Sequence, residues 1–293
     1  MRTLGPAINA DFAPARRPCI LIAVRLASIV AIAALVVPGC AELGVVSDGT
    51  SISMGRPHRG WIVDGVRIPD KGEGFFTREV WRSRAQRYGT DELVDLLTAV
   101  SRRMAKRYKE RIVIADLSGK GGGPARAWHA SHQSGRDVDV VYYVRDKTGK
   151  PVEPDRMRMF DKDGKAKDGS GYTVDVPRMW LLAKELLTAP EAPVQWIFIY
   201  QPLAERIVEH AIAQNEPEAL VAKARRALKQ PGNGAPHMDH MHVRVYCSKL
   251  DKAYGCLDHG PMDLLVERGE VEQTNPALER VGRRLRRPSD GLR

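Results

Sequence analysis

The stretch PHMDHMHVRVYC, residues 236 to 247, places three of the chain's eight histidines within six positions and runs straight into a strand pattern. In a β-strand, side chains two positions apart share a face. His240, His242 and Arg244 then line one face, and Met241, Val243 and Val245 line the other. The apolar face has a core to enter, so the histidine face looks away from packing. His237 and Asp239 stand just before the strand. A second stretch, HASHQSGRDVDVVYY at 129 to 143, repeats the pattern. Asp137 and Asp139 share one face, Val138 and Val140 the other, and His132 lies on the loop that enters the strand.

Two such strands side by side bring His240 and His242 to Asp139, with His132 approaching from its loop. Three protein ligands with a fourth position open is the arrangement of a catalytic zinc, whose bound water loses a proton near neutral pH. A lone His-x-His is weak, because histidines near strand ends are commonly plain surface. The conjunction is stronger: five of the eight histidines fall in these two segments. Asp137 is the alternative carboxylate ligand, or else orients a ligand or pairs with Arg136 or Arg244.

Around these segments the spacing predicts a helix over 90–110, with Leu93, Leu96, Leu97, Val100 and Met104 on one stripe and Thr90 as its cap. RIVIADL (111–117) reads as a buried strand, 118–135 as a glycine-rich loop, and 136–144 as the next strand. A charged turn at 160–172, a helix at 177–189 opened by Pro177, a strand at 194–200 and helices near 202–213 and 217–229 follow. Trp128 and Tyr142 line a substrate groove or pack inside. Without a regular βαβ alternation the fold class is α+β: a small central antiparallel sheet flanked by helices, with the zinc site in a cleft on one sheet face.

Across 293 residues the net charge is +10, which suits an anionic partner. Arg16, Arg17 and Arg25, the apolar run LASIVAIAALVV (26–37) and PGC ending at Cys40 form the pattern of a secretory signal. The run is shorter than the roughly 20 residues a membrane span needs. VPGCAEL resembles a bacterial lipobox, which makes Cys40 a candidate for lipidation. The expected organisation is a signal segment at 1–40, a tether at 41–60, a catalytic domain at 61–260 and a basic tail at 261–293. Cys247 and Cys256 are the two cysteines beyond the targeting segment, and in an exported protein they read as a disulfide. Export and the lack of a recognisable binding motif argue against nucleic acid as the partner.

HASHQSGRDVDV and HMDHMHVRVYC closely resemble the signature segments of the penicillin-insensitive murein endopeptidases. That family belongs to a group of zinc peptidases that includes the lysostaphin-like and D-Ala-D-Ala peptidases. The group's His-x6-Asp and His-x-His pattern falls on His132, Asp139, His240 and His242, and the likeness extends over residues 60 to 258. The resemblance implies one Zn2+ per chain, held by His132, Asp139 and His242, with His240 as the catalytic histidine. It implies that His237 supports the base or binds substrate. His129 becomes a fourth ligand in a resting form or an outer hydrogen-bond donor, and polar filling is the bland reading of both. The implied enzyme is periplasmic, and lipidation of Cys40 would anchor it to the outer membrane. Its implied substrate is peptidoglycan, cut at the D-Ala to diaminopimelate cross-link by zinc-activated water. The alternatives are a D,D-carboxypeptidase or dipeptidase, with Arg126 or Arg136 receiving the terminal carboxylate, and a non-catalytic peptidoglycan-binding lipoprotein.

Overall fold

The two histidine segments become neighbouring antiparallel strands at the centre of the fold. The structure, a computed structural model, describes residues 48–125, 129–232 and 234–266. The signal segment with Cys40, the residues Arg126 and Trp128, and the tail from residue 267 lie outside the described residues.

The chain opens with an antiparallel hairpin of β1 (Ile52–Arg56) and β2 (Arg59–Val63). Helix α1 (Asp91–Ala105) and strand β3 (Asp137–Val141) follow, then α2 (Val176–Thr188) and β4 (Val194–Phe198). Next come α3 (Gln201–Ala213), α4 (Glu218–Ala227), the short β5 (Leu228–Lys229), β6 (His240–Val245) and α5 (Lys249–Ala253). The main sheet has the order β5-β4-β6-β3, antiparallel except for the β5–β4 edge pair. Smaller, mostly antiparallel sheets surround it, so the fold is α+β. Among the described residues no helix is long and apolar enough to cross a membrane.

Register decides which side chains meet. His242 lies opposite Asp139 and Arg244 opposite Asp137, while Phe198 and Trp196 of β4 lie opposite His242 and Arg244. The reverse face carries Val138, Val140, Ile197, Met241 and Val243, all buried, against the stripe of α1 and against Met179, Leu182 and Leu186 of α2. Each such side chain contributes about 1.5–3 kcal/mol by leaving water. Thr90 caps α1 as expected, its hydroxyl accepting from Leu93 N at 3.3 Å. The helix stops at Ala105, not 110, because the apolar stripe ends at Met104 and a run of charged residues follows.

Other expectations are corrected. Residues 52–60, read as part of a tether, belong to the hairpin, where Ile62 and Gly60 face inward. Only Ile112–Val113 of the 111–117 segment pairs as a strand, and Ile114 adds an isolated bridge to Val140. Tyr142 is fully buried, so it packs and does not line a groove. The charged turn is built on Asp161, whose Oδ1 accepts from the amides of Asp163 and Lys165 at 2.9 and 2.8 Å.

The Cys247–Cys256 disulfide forms, with Cα atoms 6.0 Å apart, and closes the loop that holds α5. That loop grips the hairpin: Ser53 N donates to Asp251 Oδ1 at 2.7 Å, and Leu257 N donates to Gly55 O at 2.8 Å. Loop-closure entropy for so short a ring gives about 2–3 kcal/mol. The double variant Cys247→Ser/Cys256→Ser is expected to lose that much in urea unfolding while keeping the fold's circular-dichroism spectrum. A loss below about 0.5 kcal/mol would show that the loop is already held by its hydrogen bonds.

Candidate metal centre

The pairing of β3 with β6 concentrates charge at a single atom, Asp139 Oδ1. His132 Nε2, His242 Nδ1 and His240 Nε2 lie 3.2, 3.1 and 3.3 Å from it. His132, Asp139 and His242 are buried, at 1%, 1% and 5% exposure. Asp139 Oδ1 and both ring nitrogens of His132 nevertheless make no hydrogen bond among the described residues. The contacts are at ion-pair distance but off hydrogen-bond angle. Buried polar atoms left unpaired are costly, and unpaired lone pairs that converge are what a cation would satisfy. The donor set of imidazole and carboxylate suits zinc. Ligand atoms of His129, His132 and Asp139 lie within 4.8 Å of one another, and so do those of His237, His240 and His242. The residues present therefore fit a metal.

Each strand-entering loop presents its histidine through strained backbone. His132 and His237 have φ of 64° and 50°, a region that non-glycine residues rarely occupy. His132 is held by its own amide, which donates to Asp137 Oδ2 at 3.1 Å. The carbonyl of His237 accepts from the Tyr142 hydroxyl at 2.5 Å and from Tyr200 N at 3.2 Å.

The outer partners sort the histidines. His240 Nδ1 lies 2.7 Å from Asp239 Oδ1, which turns Nε2 toward Asp139. His237 Nδ1 lies 2.7 Å from Ala235 O; a carbonyl only accepts, so that nitrogen carries the proton and Nε2 keeps its lone pair. His129 Nε2 lies 2.9 Å from buried Asp116, itself paired with Arg84 at 2.8 Å, and its Nδ1 faces Asp139 Oδ2 at 3.9 Å. This carboxylate-to-imidazole arrangement is the usual outer support of a metal-binding histidine. Arg244 Nε and Nη2 donate to Asp137 at 2.6 and 3.0 Å, and His242 Nε2 stands 3.5 Å from the same carboxylate. Asp137 thus orients His242 and neutralises Arg244, the second of the roles its spacing left open.

Electrostatics follow from this crowding. Burial favours the neutral form of Asp139, but His132 and His240 outweigh it and hold the carboxyl well below the usual range. Burial likewise opposes charge on Asp137, and Arg244 and His242 override it. Burial also disfavours the charged imidazole of His240, yet Asp139 and Asp239 push its pKa up to about 10. His237 goes the other way: burial and the neighbouring charges of His242 and His240 bring it down to about 4.

His129, His132, Asp137, Asp139, His237, His240 and His242 therefore lie in one cluster, and Asp116, Asp239, Tyr142 and Phe198 border it. Asp116 had only its place before the glycine-rich loop to mark it, and Phe198 only the strand pattern of 194–200. Phe198 sets its ring 5.6 Å from that of His242, tilted by 59°. Arg136, one nominee for a substrate carboxylate, is 1% exposed and donates to Val245 O, Leu257 O and Asp258. It is a buried clasp between β3 and the disulfide loop. A hollow of about 330 Å³ lies apart from the cluster, lined by Gln201, Ala204, Glu205 and Arg225.

Comparison with known proteins places this fold and cluster. Residues 53–264 match the model of the penicillin-insensitive murein endopeptidase family, and the chain belongs to that family. A penicillin-insensitive murein endopeptidase of Klebsiella pneumoniae is 25% identical over 203 residues, 68% of each chain. One of Escherichia coli O1:K1 is 26% identical over 206 residues, again 68% of each.

The raised pKa of His240 has a definite sign in chelator-treated protein. Its contribution to stability is complete below the ordinary histidine value of 6.5 and is lost as pH rises through about 10. The melting temperature of metal-free wild type is expected to fall between those limits more steeply than that of His240→Ala. Parallel slopes would show that Asp139 and Asp239 do not hold this proton.

Proposed function

We propose that the chain is an exported zinc metallopeptidase that hydrolyses peptide cross-links of peptidoglycan, at the D-Ala to diaminopimelate bond. The carrying observation is the convergence of three imidazole nitrogens on the buried, hydrogen-bond-deficient Asp139 Oδ1. Family membership supports the substrate class, and the relatives, being murein endopeptidases, support endopeptidase over other peptidase chemistry.

In this reading His132, Asp139 and His242 hold the zinc, and His129, backed by Asp116, stands by as a fourth donor. Zinc, when bound, supplies Lewis acidity toward the scissile carbonyl and a water acidified to near pH 7. His240 handles the proton. Asp239 fixes its ring so that Nε2 faces the cluster, where it takes a proton from the attacking water and returns it to the departing amine. His237, neutral at pH 7, keeps its Nε2 lone pair toward substrate. Hydrolysis without a serine nucleophile leaves β-lactams nothing to acylate.

The organisation proposed with it is a signal segment at 1–40, a periplasmic domain starting with the hairpin, a lipid anchor at Cys40 and a basic tail that meets the anionic wall. The carboxypeptidase alternative needs a cation for the terminal carboxylate, and Arg136 is committed to Asp258.

The test is metal content by mass spectrometry with chromatography of cross-linked muropeptide dimers. Wild type is expected to carry about one zinc per chain and to yield monomers in the presence of penicillin. His242→Ala is expected to lose both metal and activity. His240→Ala keeps its metal and loses about 100-fold or more in kcat. Wild type that binds no metal and leaves dimers intact, while still sedimenting with peptidoglycan, would make this a binding protein.

A further inference from the structure

The hairpin, of which residues 52–60 read as tether in the sequence, carries an exposed apolar surface that the candidate metal centre does not use. Along β2, Gly60 and Ile62 face inward, and Arg59, Trp61 and Val63 face solvent. Trp61 is 53% exposed and Val63 42%. Across the ladder, Met54 lies opposite Trp61 and Arg56 opposite Arg59. The outward face is thus an indole flanked by Met54 and Val63, with two arginines at the turn. Neither arginine makes an ion pair among the described residues. At about 3.3 Å per residue, the row from Arg59 to Val63 is roughly 13 Å long.

This hairpin is tied by backbone hydrogen bonds to the loop that leads to the candidate metal centre. Gly123 N donates to Gly60 O at 3.0 Å, Gly55 N to Gly255 O at 3.1 Å, and Ile62 N to Gly121 O at 3.2 Å. A side chain at Gly60 would come within 2.3 Å of Met54 O, so the two strands are in close contact there. At the turn, Pro57 O accepts from Gln133 N at 3.0 Å, one residue from His132.

We propose that the outward face of this hairpin, through Trp61, Arg56 and Arg59, is a second contact strip for the murein strand. It rests on the murein-hydrolase reading for the chemistry of its ligand. A cross-linked polymer continues beyond the bond being cut, and its glycan presents CH-rich ring faces beside free carboxylates of the stem peptides. An indole takes the ring faces and guanidinium groups take the carboxylates. An exposed tryptophan beside arginines also suits an anionic bilayer. The murein strand is favoured because the strip runs into the turn that borders His132, where a long substrate emerging from the cluster would lie.

The experiment uses the full chain, with Trp61→Ala and the charge reversal Arg56→Glu/Arg59→Glu, in two assays. One is co-sedimentation with isolated sacculi; the other is hydrolysis of short, sugar-free cross-linked peptide dimers. Each variant is expected to bind sacculi about tenfold more weakly. On the short dimers each is expected to keep kcat/KM within about twofold, because the strip lies beyond their reach, and its melting temperature stays that of wild type. Unchanged sacculus binding overturns the proposal, and so does an equal loss on the short dimers. Sacculus binding left intact with loss of binding to phosphatidylglycerol vesicles overturns it in favour of a membrane surface. If wild type cleaves neither substrate and Trp61→Ala still releases sacculi, the strip stands and the hydrolase reading falls.

Discussion

A carboxylate oxygen buried beneath three imidazole nitrogens, at 3.1 to 3.3 Å, governs the design of this protein. Withdrawing Asp139 from water is expensive unless positive charge comes with it. The pairing of β3 with β6 meets that demand by register, since His242 lies opposite Asp139 and Arg244 opposite Asp137 on the next rung of the same face. The reverse face of these strands is Val138, Val140, Met241 and Val243, the centre of the core. A slip of one residue would turn the charged groups into the apolar core and the valines onto the polar face. The hydrophobic core and the candidate metal centre are therefore fixed by one constraint, and neither can be displaced without the other.

The supports around that pair act at its ends. At the start of β3, Arg136 is clasped by Val245 O, Leu257 O and Asp258, and Asp258 also accepts from Cys247 N at 2.9 Å. The disulfide loop thereby holds both strands where they run side by side. At the other end, Tyr142 leaves β3 and reaches the carbonyl of His237, pinning the strained residue that leads into β6. Strain in His132 and His237 is tolerated because hydrogen bonds over-determine both positions.

Much of this could be read in the sequence because alternation is local. The valines and histidines of 240–245 and 137–141 announce two faces without reference to the rest of the chain. Likewise Thr90 and the leucine stripe announce α1. What escaped reading depends on distant partners. Residues 41–60 look polar and glycine-rich, and the hairpin that begins within them is held by Gly60 packing against Ser134 and by backbone bonds to Gly121, Gly123 and Gln133. Arg136 resembles a surface cation until Asp258 is brought to it by the disulfide loop. Asp116 becomes a support of the centre only when the loop folds His129 onto it.

The two histidines flanking the ligand set show why so many imidazoles are gathered in one place. His240, between Asp139 and Asp239, holds a proton up to about pH 10, whereas His237, buried beside other imidazoles, holds none above about 4. Neighbouring imidazoles are pushed apart in this way by their different surroundings, carboxylates for the one and burial beside other imidazoles for the other. The division depends on Asp139: a cation held by that carboxylate would oppose the charge that raises His240 and would bring its pKa back down toward the ordinary imidazole range. His237, which owes its neutrality first to burial, keeps its lone pair. The same carboxylate that anchors the ligands would thus set the working pKa of the group beside them.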